Sequence, residues 1–230
     1  MTPDALQARI LYCDDDVLVF DKPAGLAVHR APGAGPTLEP LLPALALGRK
    51  EPPALAHRLD RDTSGCLVFG RHPQALRRLM ALFAAGAVEK TYWAVVQGAP
   101  AAAEGIVEQP ILKVHRGRDW RMIADPGGQA AETAWRLLGQ GEGGAWLELQ
   151  PRTGRTHQVR IHCASLGCPV IGDAAYGARP GVGERLHLHA RGVSFRVGPK
   201  HRLIAVAAPP PLHMRPALAA CGWHLPGDSG

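Results

Sequence analysis

The stretch HRLDRDTSGCLVFG, residues 57–70, decides the fold because a charged segment passes directly into an apolar one. The segment 57–65 carries two acids among two arginines and a histidine. The segment 66–69, CLVF, has the short apolar run typical of a buried strand. The stretch therefore predicts a charged loop that is attached to a core strand.

The flanking segments predict more strands than helices. Upstream, ILYCDDDVLVF (10–20) predicts two short strands around an acidic turn, KPAG (22–25) a loop, and the proline-rich segment 31–54 a surface excursion with one short helix near 38–47. Downstream, helices are expected from Pro73 to a stop at Gly86, over 156–166 with a stop at Gly167, and over 211–221. Strands are expected at 91–96, 104–112, 121–124, 130–138, 145–150, 186–190, 193–197 and 202–207. This order favours an α+β protein with a mixed, mainly antiparallel sheet flanked by helices and loops.

Composition is that of a globular protein. The 230 residues are 46% hydrophobic and 20% charged, and no apolar run approaches the roughly 20 residues that span a bilayer. The five cysteines are odd in number and show no CxxC spacing, and the N-terminus lacks the pattern of a secretory signal. We therefore expect reduced thiols, a cytoplasmic location and no membrane partner. The net charge of +6 favours a polyanionic partner but does not by itself identify one.

The charged loop has several conceivable chemistries, and most are unfavourable. His57 and Asp60 lack further metal ligands, and the adjacent arginines repel a cation. Asp60 and Asp62, two apart on an extended chain, point to opposite faces, which disfavours a glycosidase pair. Ser64 lacks the GxSxG elbow, and no phosphate-binding GxxxxGK[ST] is present. One functional carboxylate held among cations, or a solvated charged turn, remains open.

A second charged segment lies at 150–177, QPRTGRTHQVRIHCASLGCPVIGDAAYG. The run 153–156, TGRT, predicts a tight turn that delivers Arg155 at a helix start, a natural site for a phosphate or for holding a carboxylate ionised. The histidines and Cys163 show no zinc spacing, so packed or hydrogen-bonded histidines are the simpler interpretation.

Four blocks, in this order, resemble the RluA-type family of RNA pseudouridine synthases: KPAGLAVH (22–29), HRLDRDTSG (57–65), EKTYWAVVQG (89–98) and RTGRTHQVRIH (152–162), followed by GDAAYG (172–177). The resemblance covers about residues 10–210. It implies a single catalytic domain over 1–230, of the short branch without an N-terminal S4 module.

The resemblance also implies an activity and its residues. A uridine in structured RNA, in tRNA or a 23S rRNA stem-loop, is isomerised to pseudouridine without a cofactor or metal. Asp60 is implied as the essential carboxylate and Arg155 as its ion-pair partner. Tyr92 is implied as the tyrosine that stacks on the extruded uracil and helps remove its C5 proton, which places all three in one cleft.

Further contacts to the RNA are expected from residues in the same blocks. Arg58 is implied to enter the helix where the uridine has left, and the other predicted substrate-binding residues are His57, Thr63, Lys90, Arg152, His157 and Arg160. Asp62 is expected to brace the loop. The basic segment 113–121, KVHRGRDWR, either grips RNA with Trp120 stacking on a base or is a solvated hairpin. A monomer without an obligatory protein partner is expected, and a non-catalytic RNA-binding or chaperone protein on the same fold is the alternative.

Overall fold

The structure is a computed structural model that describes residues 2–29, 35–117, 119–177, 181, 184–198 and 202–224. The chain forms two compact units. Unit 1 comprises Met1–Lys90 with His189–Pro209, and unit 2 comprises Thr91–Leu188 with Pro210–Gly230.

The helices and strands follow one another as expected for an α+β protein. In chain order they are α1 (Pro3–Gln7), β1 (Ile10–Cys13), β2 (Val17–Lys22), a 3-10 helix (Glu39–Leu45), β3 (Ala54–Leu55), β4 (Ser64–Gly70), α2 (Pro73–Ala84), β5 (Glu89–Gln97), β6 (Glu104–Val107), β7 (Ile111–Arg116), β8 (Asp119–Ala124), β9 (Thr133–Gly141), β10 (Gly144–Pro151), α3 (Gln158–Ser165), β11 (Leu188–Phe195), β12 (Ile204–Ala207), a 3-10 turn (Leu212–Met214) and α4 (Arg215–Ala220).

Unit 1 is organised around β4, every residue of which is buried. On one side β4 pairs antiparallel with β2, which pairs with β1; on the other it pairs parallel with β11, which carries β12. The short β3 also pairs with β4. Helix α2 covers the sheet with Leu79, which is fully buried in the same apolar cluster as Val19, Val68 and Phe195. The charged loop 57–63 is thus joined to the most buried strand of this unit.

Unit 2 is an antiparallel sheet in the order β5-β10-β9-β6, with a separate two-stranded hairpin made by β7 and β8. Its core contains Ala94, Leu147 and Leu149 from the strands together with Val159 and Cys163 from α3. Burial of one face of α3 holds this helix, and the segment 152–157 that precedes it, at a fixed place on the sheet.

The predicted fold class is confirmed, and the parallel pairing of β4 with β11 is what makes the sheet mixed. Some boundaries differ. The strand expected over 104–112 is two strands, because residues 108–110, which end in Pro110, lie outside the strand ladder. The strands expected at 186–190 and 193–197 are one, because Gly192 pairs with Ala207. Helix α1 was not expected, since five residues are too few for a detectable period.

Two further expectations concern loops and helix starts. The excursion 31–54 contains the 3-10 helix where a short helix was expected, while residues 30–34 lie outside the described part of the chain. Helix α3 begins at Gln158 rather than at 156, because His157 adopts a left-handed conformation with φ of 58°. Within the described ranges, no helix has the combination of length and apolar character that crossing a bilayer requires.

Candidate active site

The loop that carries Asp60 is a tight turn at the entrance to β4. The backbone N–H of Thr63 donates to the carbonyl of Asp60 at 3.2 Å, and Thr63 is only 2% exposed. Asp60 itself is half-buried. Asp62, in contrast, is exposed, and its carboxylate lies 3.6 Å from the guanidinium of Arg61. The two acids of the loop therefore occupy different environments, and Asp62 lies beside Arg61 at the surface.

Lys22 holds this loop through hydrogen bonds to backbone carbonyls. Its ammonium is fully buried and donates to three carbonyls, those of Pro23 (3.0 Å), Leu26 (2.9 Å) and Arg61 (2.9 Å). The carbonyl of Arg61 also accepts from the N–H of Gly25 at 3.0 Å. Burial lowers the pKa of Lys22 from 10.5 to about 8, against the opposing attraction of Asp62 and Asp60. The KPAGL and HRLDRD segments are thereby joined through one cation.

A second anchor holds the C-terminal end of the loop. The buried hydroxyl of Ser64 lies 2.8 Å from Nδ1 of His189, whose Nε2 lies 3.1 Å from the carbonyl of Ala208. Since a carbonyl only accepts, Nε2 carries the proton and the Ser64 hydroxyl donates to Nδ1. Gly65 follows with φ of 106°, and a Cβ there would lie 2.2 Å from the carbonyl oxygen of Ala190. Only glycine allows this approach of β4 to β11.

His57 is held by contacts inside unit 1. Its Nε2 accepts from the N–H of Val68 at 3.0 Å, and its ring stacks on Phe83 with centroids 4.3 Å apart. Burial, reinforced by the charge of Lys90, lowers the pKa of His57 to about 3, so the ring is neutral. Burial likewise lowers the pKa of Lys90. Arg58, the residue next to His57, is exposed. Arg58 is thus accessible to a large ligand, as are Arg61 and Asp62 of the same loop.

Tyr92 lies on β5, where it is paired with Leu149 of β10. Its half-buried ring packs against the apolar cluster that includes Ala94 and Leu147. The ring is thus oriented by the core of unit 2, because one side of it contacts the packed interior.

Arg155 stands on a loop that is fixed by a buried glutamine. Gln158 accepts from the N–H of Arg155 (2.9 Å) and from the hydroxyl of Thr153 (2.7 Å), and donates to the hydroxyl of Thr133 (2.9 Å) and the carbonyl of Glu132 (2.9 Å). Every polar group of the Gln158 amide is therefore engaged. The guanidinium of Arg155 is exposed, and its Nε donates to the carbonyl of Ala130 at 3.1 Å.

The network continues into the core through His162. Nδ1 of His162 accepts from the Thr133 hydroxyl at 2.8 Å, and Nε2 donates to the carbonyl of Gln109 at 3.0 Å. Burial lowers the pKa of His162, consistent with a neutral ring. His162 is therefore a structural residue, as expected for a packed histidine.

The other predicted substrate-binding residues of unit 2 have intramolecular partners. Arg152 is exposed and forms an ion pair with Glu132. Arg160 forms a bidentate pair with Asp173, with both N–O distances 2.7 Å and side chains 13% and 0% exposed. Nδ1 of His157 lies 2.7 Å from the hydroxyl of Tyr176. The GDAAYG segment is thus tied to the TGRTHQVR segment by two of these contacts.

The structure groups the predicted residues by unit. His57, Arg58, Asp60, Thr63 and Lys90 belong to unit 1, and Tyr92, Arg152, Arg155, His157 and Arg160 belong to unit 2. Their roles toward a substrate stay predictions. Sequence reasoning missed the residues that hold the two loops, namely Lys22, Thr133, Gln158, Asp173, Tyr176 and His189. Lys22, Gln158, Asp173 and Tyr176 lie inside the blocks that carry the family resemblance, whereas Thr133 and His189 lie outside them and had no such signal. In the described ranges, no three His, Cys, Asp or Glu side chains are arranged to hold a metal ion.

Comparison with known proteins identifies the class. Residues 16–165 match the family model of RNA pseudouridylate synthase. An uncharacterized RNA pseudouridine synthase of Zymomonas mobilis is 42% identical over 193 residues, which cover 83% of this chain and 88% of that protein. The chain therefore belongs to the RNA pseudouridine synthase family, whose members are RNA isomerases, and the expected RluA-type family is confirmed.

Two named proteins extend the comparison. The ribosomal large subunit pseudouridine synthase C of Vibrio cholerae is 36% identical over 225 residues, which cover 93% of this chain and 69% of that protein. The solved structure of human RNA pseudouridylate synthase domain containing 4 is 28% identical, covers 98% of this chain and 97% of its own, and superimposes with a TM-score of 0.82. Both the sequence and the fold of a pseudouridine synthase are thus present.

Proposed function

We propose that this chain isomerises one specific uridine of a structured RNA to pseudouridine and that Asp60 is its essential carboxylate. The observation that carries this choice is the difference between the two acids of the loop. Asp62 is 59% exposed at its side chain and faces Arg61, whereas Asp60 is half-buried on a turn anchored by Lys22 and Thr63. A reacting group must be held in place by its surroundings, and of the two acids Asp60 is the more enclosed.

The proposed chemistry moves one bond within the substrate. The N1–C1′ glycosidic bond breaks, the detached uracil turns, and C5 bonds to C1′. The proton on C5 is released and N1 takes up a proton, so the product is an isomer of the substrate. An ionised carboxylate at the sugar assists the first step, and Asp60 is assigned to it. Arg155 is assigned as the countercharge that keeps this carboxylate ionised. Tyr92 is assigned to the extruded base, where its ring stacks and its hydroxyl assists removal of the proton.

The proposed substrate is a compact stem-loop of tRNA or 23S rRNA. One relative is named for the ribosomal large subunit, and the net charge of +6 suits a polyanion. Arg58, exposed and two residues before Asp60, is assigned to the space that the flipped uridine leaves. The protein is proposed to act in the cytoplasm as a monomeric single catalytic domain.

Release of tritium from RNA labelled at C5 of uridine tests the activity, because only an isomerase exchanges this hydrogen without freeing uracil. The wild-type protein is expected to release tritium into water, Asp60→Asn to release none, and the matched control Asp62→Asn to remain active. A base-excising enzyme would liberate free uracil, and an RNA chaperone would liberate neither product. Tritium release by Asp60→Asn at the wild-type rate would refute the assignment.

A further inference from the structure

An exposed aromatic cluster lies beside the segment that carries Arg155. Trp120, on β8 of the hairpin, is 47% exposed. Its ring centroid lies 6.0 Å from that of His157, and the ring of His157 in turn meets Tyr176 edge-on at 5.6 Å. All three belong to unit 2. The hairpin thus brings a large planar side chain next to His157, which lies two residues after Arg155.

Trp120 and His157 are in contact but are not closely stacked. Their planes are inclined by 32° at 6.0 Å, near the wide end of the range for interacting rings. The stacked pair His57–Phe83 is much tighter, with 4.3 Å and 21°. Packing in a core would account for a buried tryptophan, but Trp120 leaves nearly half of its surface exposed to solvent.

Cations surround this aromatic surface. The ammonium of Lys113 lies 4.7 Å from the centroid of Trp120, and the guanidinium of Arg121 lies 5.8 Å from that of Tyr176. The guanidinium of Arg160 lies 5.0 Å from the Tyr176 centroid but is paired with Asp173, so Lys113 and Arg121 are the cations offered to a ligand. Arg121 is also tied to the carbonyl of Ala175 at 3.0 Å. Lysine reaches its position on a flexible stem, so an incoming planar group can displace it from the ring while its charge stays nearby.

Flat rings that are rimmed by positive charge match one chemical class, a nucleotide with an unpaired base and its phosphate. Single-stranded RNA is recognised in this way, by stacking on aromatic side chains while cations contact the backbone. Double-stranded RNA presents no free base face, and the net charge of +6 favours a polyanion as the occupant.

We propose that Trp120, with His157 and Lys113, forms a stacking subsite for an unpaired RNA base that flanks the modified uridine. The proposal rests on the proposed function, because it assigns the substrate a single-stranded neighbour. Of the two parts of a stem-loop, the proposal selects the single-stranded loop rather than the helical stem as the part that this hairpin contacts.

Binding of short oligouridylate tests the subsite, compared with the same oligomer lacking its bases. Trp120→Ala is expected to weaken binding of the base-bearing oligomer about 5- to 150-fold and to leave the abasic one unchanged. Trp120→Phe should retain most of the affinity, and Lys113→Gln should weaken both oligomers equally. Ile106→Ala, which removes another exposed apolar side chain of unit 2 (52% exposed), is the matched control and should change neither.

A second readout separates this proposal from the enzymatic one. Binding of the oligomer should quench tryptophan fluorescence in the wild-type protein, and Trp120→Phe should lose that quenching. Equal affinity of Trp120→Ala and wild type for the base-bearing oligomer, with circular dichroism showing both folded, would overturn the subsite. Tritium release by wild type would still stand in that case, whereas failure of the isomerase assay alone would leave the binding contrast intact.

Discussion

The ion pair between Arg160 and Asp173 should govern the stability of unit 2 more than RNA affinity. Two N–O distances of 2.7 Å and side-chain exposures of 13% and 0% place both charges away from water. Replacing only Arg160 with Met leaves the carboxylate buried and uncompensated, which costs about 3–5 kcal/mol. Asp173 also accepts from the N–H of Ala175 at 3.1 Å. The double variant Arg160→Met/Asp173→Leu should therefore lose only about 1–2 kcal/mol, largely for that backbone bond.

Urea unfolding of the two single variants and the double variant, analysed as a cycle, measures this coupling. The exposed pair Arg136–Glu148 is the matched control, and Arg136→Met should cost less than about 1 kcal/mol because its side chain is 59% exposed. Additive losses in the cycle would refute the reasoning. So would an Arg160→Met protein of wild-type stability that binds RNA poorly, since the arginine would then serve the substrate directly.

Four other substitutions are informative. Tyr92→Phe should bind RNA but stop before the product forms, because the C5 proton is not removed. Single-turnover reactions should then show bound RNA that retains its tritium at C5. Arg155→Met should reduce the single-turnover rate more than RNA affinity, and a proportional loss of affinity at an intact rate would contradict it. Lys22→Met removes three hydrogen bonds of about 1.5–3 kcal/mol each, but it also removes the cost of burying the ammonium, which the pKa near 8 puts at about 3 kcal/mol. Urea unfolding should therefore show a free energy of unfolding that is about 2–6 kcal/mol lower. His57, with its pKa near 3, contributes stability that is complete above about pH 6.5 and is lost as the pH falls toward 3; wild type should lose about 2 kcal/mol from this group between pH 7 and 5, and His57→Leu should lack that component.

The helices and strands were accessible from sequence because they depend on local patterns, whereas Asp60 was singled out only by the resemblance of its block to a family. The apolar run 66–69 and the polar run before it predict a strand and a loop without knowledge of the partners. The spacing of Pro73 and Gly86 likewise delimits α2, since a proline starts and a glycine ends a helix through their own backbone preferences. Local rules fail where a boundary depends on a distant strand, as at Gly192, which looks like a break until its pairing with Ala207 is known.

The supporting residues were not accessible, because their roles depend on partners far along the chain. A lysine is ordinarily exposed, and nothing local indicates that Lys22 is fully buried under the carbonyl of a residue 39 positions away. Nothing local to Arg160 indicates its ion pair with Asp173, which lies 13 residues further along the chain. Sequence shows which groups carry charge, whereas packing decides which of those charges face another residue.

The discontinuity of unit 1 has a consequence for the newborn chain. Ser64 obtains its partner His189 only after 125 further residues have been translated, and β4 waits equally long for β11. At about 5–20 residues per second this interval is roughly 6–25 s, during which the segment around Asp60 lacks one of its two supports. Contacts so distant in sequence also slow folding through loop-closure entropy. The loop that carries Asp60 therefore gains its second support only after residue 189 has been synthesised.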